Sequence, residues 1–226
     1  AIEEKLKKNT KELIEMKDYY NKFKTNNEKS LKEYEEKLDE IRENNKNLLQ
    51  QNKELLAKHG NELFKLAKEK NTVILYEAAV AGGIPIITPI KTTLCANKIS
   101  KIAAILNGTT NYILTKMHEQ NLSYDVALKQ AQELGYAETD PTGDVEGFDA
   151  MYKITTLSTI AFGKRVKLEN VYREGITKIR KEDMAQANEF GYKIKLIANA
   201  AIDEDGNADV RVHPMLVPNS KTLAHI

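Results

Sequence analysis

Lys193–His213 reads KIKLIANAAIDEDGNADVRVH, an aliphatic run, a polar cluster and a second run in which apolar and polar residues alternate. Asp203-Glu204-Asp205-Gly206-Asn207 is a strong turn signal, so Lys193–Ile202 and Ala208–His213 are predicted as two strands of a hairpin. His213 precedes Pro214, which favours extended backbone, and is read as structural. Further back, Lys181–Phe190 reads as a short helix with Gly191 past its end, and Val171–Ile179 and Ile99–Leu106 read as strands. Val73–Tyr76, a β-branched and aromatic run, predicts one more buried strand. Between these lie helical patterns: Tyr112–Glu119, a helix capped by Ser123 and stopped at Gly135, and one that begins near Gly147 and ends at Gly163. Strands and helices that alternate before a terminal hairpin predict an α+β fold, a mixed β-sheet covered by helices.

The chain has 226 residues, and its composition changes sharply along its length. All eleven glycines and all five prolines lie from Gly60 onward, while Lys, Glu and Asn dominate before Gln51. Apolar or large residues recur there at Ile2, Leu6, Leu13, Met16, Tyr20, Phe23, Leu31, Tyr34, Leu38, Ile41 and Leu48, in steps of three and four with gaps at Asn9 and Asn45. That is the seam of a coiled coil, and its change of phase through Asn27 marks an eleven-residue interruption. One such helix cannot bury its own seam in water, so a homo-oligomer is expected. Thr25-Asn26-Asn27 is expected to loosen the helix, and His59-Gly60 is a weak point in the helical pattern of Gln51–Asn71. Two segments result: a coiled-coil-like helix over 1–50, and an α+β domain over 51–226.

Chemistry concentrates in Gly135–Lys153, GYAETDPTGDVEGFDAMYK. Gly135 can end a helix in the left-handed conformation, Asp140-Pro141 forces a turned or extended backbone, and Gly143 and Gly147 permit close approach. With a helix starting near Gly147, Asp149 and Lys153 fall one turn apart on one face. Glu138, Asp140 and Asp144 add acids to the same bend. By spacing alone, the Asp149/Lys153 pair equally describes a solvated helix face, which is the commoner use of such pairs.

Taken with YEAAVAGGIPII (Tyr76–Ile87) and LNGTTNYIL (Leu106–Leu114), this stretch resembles the catalytic domain of the homoserine dehydrogenases, with the three blocks in the family's order from about Asn52 onward. The resemblance implies NAD(P)-dependent interconversion of L-homoserine and L-aspartate 4-semialdehyde, a step toward threonine, methionine and isoleucine. It makes Lys153 the proton-transferring lysine, and Lys53 a second lysine near nicotinamide and substrate. It gives homoserine to Glu138 and Asp149, with Asp144 in the same polar cluster, and makes Gly135 a backbone contact to NADP or NAD. Glu77 and the carbonyls of Val80, Gly82 and Ile84 would correspond to a sodium-type site; Glu77 capping a backbone amide explains the same residues. No G-x-G-x-x-G follows a strand, and the helical segment stands where the nucleotide-binding half would be, so cofactor binding and activity by this chain alone are expected to be impaired.

A formal net charge of +1 gives no electrostatic reason to expect a nucleic-acid or membrane partner. The first residues lack the apolar stretch of a secretion signal, and no run is long enough to cross a bilayer, so a soluble, cytoplasmic protein is expected. The single Cys95 excludes an internal disulfide and is read as a small core residue. Two functions from different classes fit: a homoserine dehydrogenase domain, or a non-catalytic scaffold in which a coiled coil presents an enzyme-derived domain.

Overall fold

With neither glycine nor proline before Gly60 to stop it, the N-terminal sequence becomes one helix, α1 (Ile2–Glu69), in a computed structural model that describes residues 2–226. Within that helix, side chains are described at 14–18, 21–25, 27–42, 44, 45, 47, 48 and from 51 onward. The seam positions Ile2, Leu6, Asn9, Leu13 and Tyr20 lie outside the described side chains. The chain falls into two compact units, Ala1–Leu48 and Leu49–Ile226. In the first, Met16, Phe23, Leu31, Tyr34, Leu38, Ile41 and Leu48 are exposed. The expected loosening at Thr25–Asn27 does not occur: the helix runs through it unbroken, with the Thr25 hydroxyl turned back onto the Asn21 carbonyl. Nor does the helix break at His59-Gly60.

The second unit continues through two short helices, α2 (Ala78–Ala81) and α3 (Ile87–Lys91), strand β1 (Lys101–Ala104) and helices α4 (Gly108–Gln120) and α5 (Tyr124–Glu133). Then come α6 (Thr142–Val145), α7 (Phe148–Phe162), β2 (Tyr172–Arg173), α8 (Lys181–Glu189), β3 (Tyr192–Ile202) and β4 (Ala208–Pro218). The strands form one mixed sheet in the order β1-β3-β4-β2, antiparallel except for the β2–β4 pair. The expected hairpin is present. The Asp203 carboxylate accepts from the Asn207 amide at 2.7 Å and Gly206 takes a left-handed φ of 80°, which turns β3 back as β4.

Alternation along β3 builds the core. Leu196, Ala198 and Ala200 face Ile113, Leu114 and Met117 of α4, Ile154 of α7 and Met184 of α8, while Ile197 faces Val217 and Ala224 on the other side of the sheet. Each large aliphatic side chain taken fully out of water there contributes roughly 1.5–3 kcal/mol. α7, which carries the acid–lysine pair, therefore rests on β3 and β4 along its apolar stripe. Its ends are set by Gly147 and Gly163, both left-handed, at φ of 80° and 61°. A smaller cluster of Val80, Ile87 and Leu157 fixes α2 and α3 to the far half of α7.

Several expectations from the sequence are corrected. Val73–Tyr76 is not a strand: no strand among the described residues pairs with it, and Val73 and Leu75 are 79% and 91% exposed. β-branched composition favours a pleated surface only where a partner edge exists. Of Val171–Ile179 only Tyr172–Arg173 joins the sheet, because at Gly175 the chain leaves it and Ile176 donates instead to the Val145 carbonyl at 2.8 Å. Ser123 occupies an N-cap position, but its side chain makes no capping bond. Cys95 is exposed and free, not core. No helix among the described residues is long and apolar enough to cross a membrane.

Candidate active site

The helix α4 begins four residues earlier than its apolar pattern suggests, because Asn107 caps it: the side-chain Oδ1 accepts from the Thr110 amide at 2.8 Å. Asn107 sits directly after Leu106, at the point where β1 hands over to α4. Opposite it, α7 presents Asp149 and Lys153 from its first two turns, and α1 brings Lys53.

Asp149 is the centre of the arrangement and is 3% exposed. Its Oδ1 accepts from Lys53 Nζ at 3.0 Å, and its Oδ2 accepts from Lys153 Nζ at 2.5 Å and from Asn107 Nδ2 at 3.0 Å. Lys153 Nζ also donates to the Leu106 carbonyl at 2.7 Å, and Asn107 Nδ2 donates to Asp144 Oδ1 at 2.6 Å. The side chains of Lys53 and Lys153 are only 18% and 13% exposed, so these contacts are weakly screened and unlike a solvated surface pair.

Burial alone would raise both aspartates. For Asp149 the ammonium groups of Lys153 and Lys53 and the bonds from Lys153 and Asn107 outweigh that, and its carboxyl is held below the ordinary carboxylate range. Asp144 ends on the other side. Burial pushes it up, and the nearby charge of Asp149 adds to the effect, against the opposing bond from Asn107. Two carboxyl groups bridged by one amide are thus driven to different proton affinities, a pattern found where acid and base roles are divided.

Of the site residues expected from the sequence, the structure draws together Lys53, Asp144, Asp149 and Lys153. Lys53 stands on the helix that the residues before it predict, and still reaches Asp149. Gly135 is the left-handed residue that ends α5, at φ of 75°, with the Tyr136 amide donating back to the Ala131 carbonyl. Glu138 lies on the exposed stretch after it, where its carbonyl accepts from Gln132 Nε2 at 3.0 Å. Asn107 and the Leu106 carbonyl were missed. Asparagine is a common helix-capping residue and Asn107 caps α4, but nothing local announces that its amide faces two acids.

Glu77 belongs to a second arrangement. Both its oxygens accept bonds at the start of α3, Oε1 from the amides of Ile86 and Ile87 and Oε2 from the amide and hydroxyl of Thr88. The Thr88 hydroxyl and these amides stabilise the carboxylate and bring its pKa to about 2. The capping use of Glu77 is therefore present. Among the described residues, no group of three or more His, Cys, Asp or Glu is placed to hold a metal ion, so a cation here would meet one carboxylate and backbone carbonyls. A folded-state pKa lowered from 4.5 means that the contribution of Glu77 to stability is complete above pH 4.5 and is lost as pH falls toward 2. In Glu77→Ala, hydrogen exchange at the amides of Ile86, Ile87 and Thr88 should quicken at neutral pH, while the core strands β3 and β4 keep their protection. Unchanged exchange at those three amides would show that the cap is dispensable.

The sequence profile of the homoserine dehydrogenases matches residues 85–226. The homoserine dehydrogenase of Neisseria gonorrhoeae is 48% identical over 172 residues, 76% of this chain and 39% of that protein, and that of Pseudomonas aeruginosa is 46% identical over the same shares. The chain spans about 40% of the length of the curated relatives it matches. Among solved structures, a homoserine dehydrogenase from Thiobacillus denitrificans superposes with a TM-score of 0.74 at 49% identity, over 76% of this chain and 40% of that one. A hyperthermophilic archaeal homoserine dehydrogenase in complex with NADPH superposes at 0.63 with 31% identity, over 75% and 48%. With most of its second unit matched in both sequence and backbone, this chain belongs to the homoserine dehydrogenase family.

Proposed function

We propose that residues 51–226 carry the substrate-binding and proton-transfer part of a homoserine dehydrogenase, which interconverts L-homoserine and L-aspartate 4-semialdehyde in the biosynthesis of threonine, methionine and isoleucine in the cytoplasm. The observation that carries the reading is the half-buried Lys53–Asp149–Lys153 cluster, because a partly desolvated amine pinned between a carboxylate and a backbone carbonyl is a defined station for one proton. In the oxidising direction Lys153 Nζ, as the free amine, accepts the proton of the substrate hydroxyl while that carbon gains its second bond to oxygen; in reverse the ammonium returns it. A bound NADP or NAD supplies the hydride acceptor. Lys53 would lie at the nicotinamide end and the backbone at Gly135 would contact the cofactor, while the sequence contains no G-x-G-x-x-G turn to cradle its pyrophosphate. Asp149 and Glu138 would accept from the substrate's amine, and Asp144 would line the same pocket. Glu77 with the carbonyls of Val80, Gly82 and Ile84 is a hard oxygen set of low charge, which suits Na+ better than a transition metal.

Calorimetry with homoserine, followed by addition of NADP and measurement of reduced cofactor, tests the assignment. Lys153→Ala should stay folded, because Lys53 and Asn107 still hold Asp149, melting somewhat earlier than the parent, and should lower turnover by about 10²–10⁴-fold, the usual weight of a general acid–base. A Lys153→Ala chain that turns over as fast as its parent, or a parent that binds no homoserine, would refute it.

The first unit favours a complementary role. Its exposed seam of Leu31, Tyr34, Leu38, Ile41 and Leu48 keeps a three-four spacing, which supports the reading of residues 1–50 as a coiled-coil-like segment that joins copies of the chain into a homo-oligomer. A scaffold without catalysis remains the reading if the chain self-associates and binds neither homoserine nor cofactor.

A further inference from the structure

We infer that Asn107 is a positioning residue of the candidate site, whose single side-chain amide spans Asp144 and Asp149 and fixes where each carboxylate lies relative to Lys153. It is 5% exposed and uses all its polar capacity. Oδ1 is committed to the α4 cap through the Thr110 amide at 2.8 Å, so the two hydrogens of Nδ2 point the other way, to Asp144 Oδ1 at 2.6 Å and Asp149 Oδ2 at 3.0 Å. The opposite orientation would set a carbonyl oxygen against two carboxylates and forfeit the cap, so the neighbours leave only one assignment.

The residue type matters for the same reason. Aspartate and serine cap a helix as well as asparagine does, but neither offers an amide. An asparagine at this position does two things at once, and only one of them is capping. Its neutral donor lets two acids approach without adding charge. Asp149 already has two ammonium partners, whereas the Asn107 amide is among the few groups that oppose protonation of Asp144, which burial pushes up. With both acids ionised the cluster of Lys53, Lys153, Asp144 and Asp149 is neutral; with Asp144 protonated it carries one positive charge. Through this count, Asn107 acts on the ammonium of Lys153 without touching it. The functional meaning of that last step rests on Lys153 being the proton carrier, but the positioning itself does not.

The test separates the two jobs. Asn107→Ser and Asn107→Asp both retain a capping oxygen, so amide exchange along α4 should stay near that of the parent. Carboxyl-carbon NMR titration of Asp144 and Asp149 should nevertheless change. In Asn107→Ser, loss of a charge-assisted bond should raise the proton affinity of Asp144 by about tenfold, one pH unit. In Asn107→Asp the three carboxylates should titrate as a coupled set, with at least one proton retained to higher pH than any in the parent. Titration curves for both aspartates that overlay the parent's in either folded variant would overturn the proposal. Homoserine binding in the same samples is read independently. A shifted titration without binding in the parent removes the enzymatic reading and leaves the positioning, whereas intact binding with unmoved titrations does the reverse.

Discussion

Asp149→Ala is expected to lower the stability of the second unit by about 3 kcal/mol, seen as an earlier denaturant midpoint at an unchanged slope. The size follows from what remains behind. Removing one member of a buried ion pair leaves the other charged and desolvated, which costs about 3–5 kcal/mol when neither partner can escape. Here two ammonium groups lose their carboxylate together, and the Asn107 amide loses one acceptor. Lys53 and Lys153 both have long, flexible stems that already reach partly to solvent, so they can swing outward and recover hydration, which places the effect at the low end. Asp149→Asn, which keeps one acceptor oxygen but neither the charge nor the second acceptor, should fall between the parent and the alanine variant. A midpoint for Asp149→Ala within experimental error of the parent would mean that the cluster is already hydrated in solution.

Gly175→Ala should cost a similar amount for a steric reason. A methyl group on Gly175 would stand 2.4 Å from the Val145 carbonyl oxygen and 2.6 Å from the Glu146 Cα, and both are backbone atoms that no rotamer change can move aside. Overpacking typically costs 1–3 kcal/mol, and a clash against main chain belongs at about 3. The neighbouring Ile176–Val145 hydrogen bond holds the two segments together, so relief requires α6 to shift, and with it Gly147 at the start of α7. Weakened homoserine binding should accompany the lost stability. Gly143→Ala is the control: a Cβ there meets nothing within 4 Å, so thermal melting should stay close to the parent's. Equal melting temperatures for Gly175→Ala and Gly143→Ala would show that the approach of the chain to α6 is looser than drawn.

Much of this fold is legible because its decisive signals are local. Asp203–Asn207 turns wherever two aliphatic runs flank it, the glycines at 135, 147 and 163 stop or start helices, and Asp149 and Lys153 share a face by helical spacing alone. What the sequence conceals depends on distant partners. Val73–Tyr76 has the composition of a strand but no edge to join, and Val171–Ile179 starts as one until Gly175 diverts it onto α6. Cys95 has the chemistry of a core residue but falls in an exposed turn. Asn107 is legible as a cap and illegible as a bridge, since the acids it spans lie 37 and 42 residues further along the chain. Lys53 is the mirror case: its helix is evident, but its partner lies 96 residues away.

The contact from Lys153 to the carbonyl of Leu106 has a practical corollary for dissecting this pocket. That oxygen belongs to the main chain, so every replacement at position 106 leaves it in place, and an alanine survey will credit the anchoring of the lysine entirely to acidic side chains. Only chemistry that alters the peptide bond itself, such as semisynthesis with an ester linkage, can weigh that share separately.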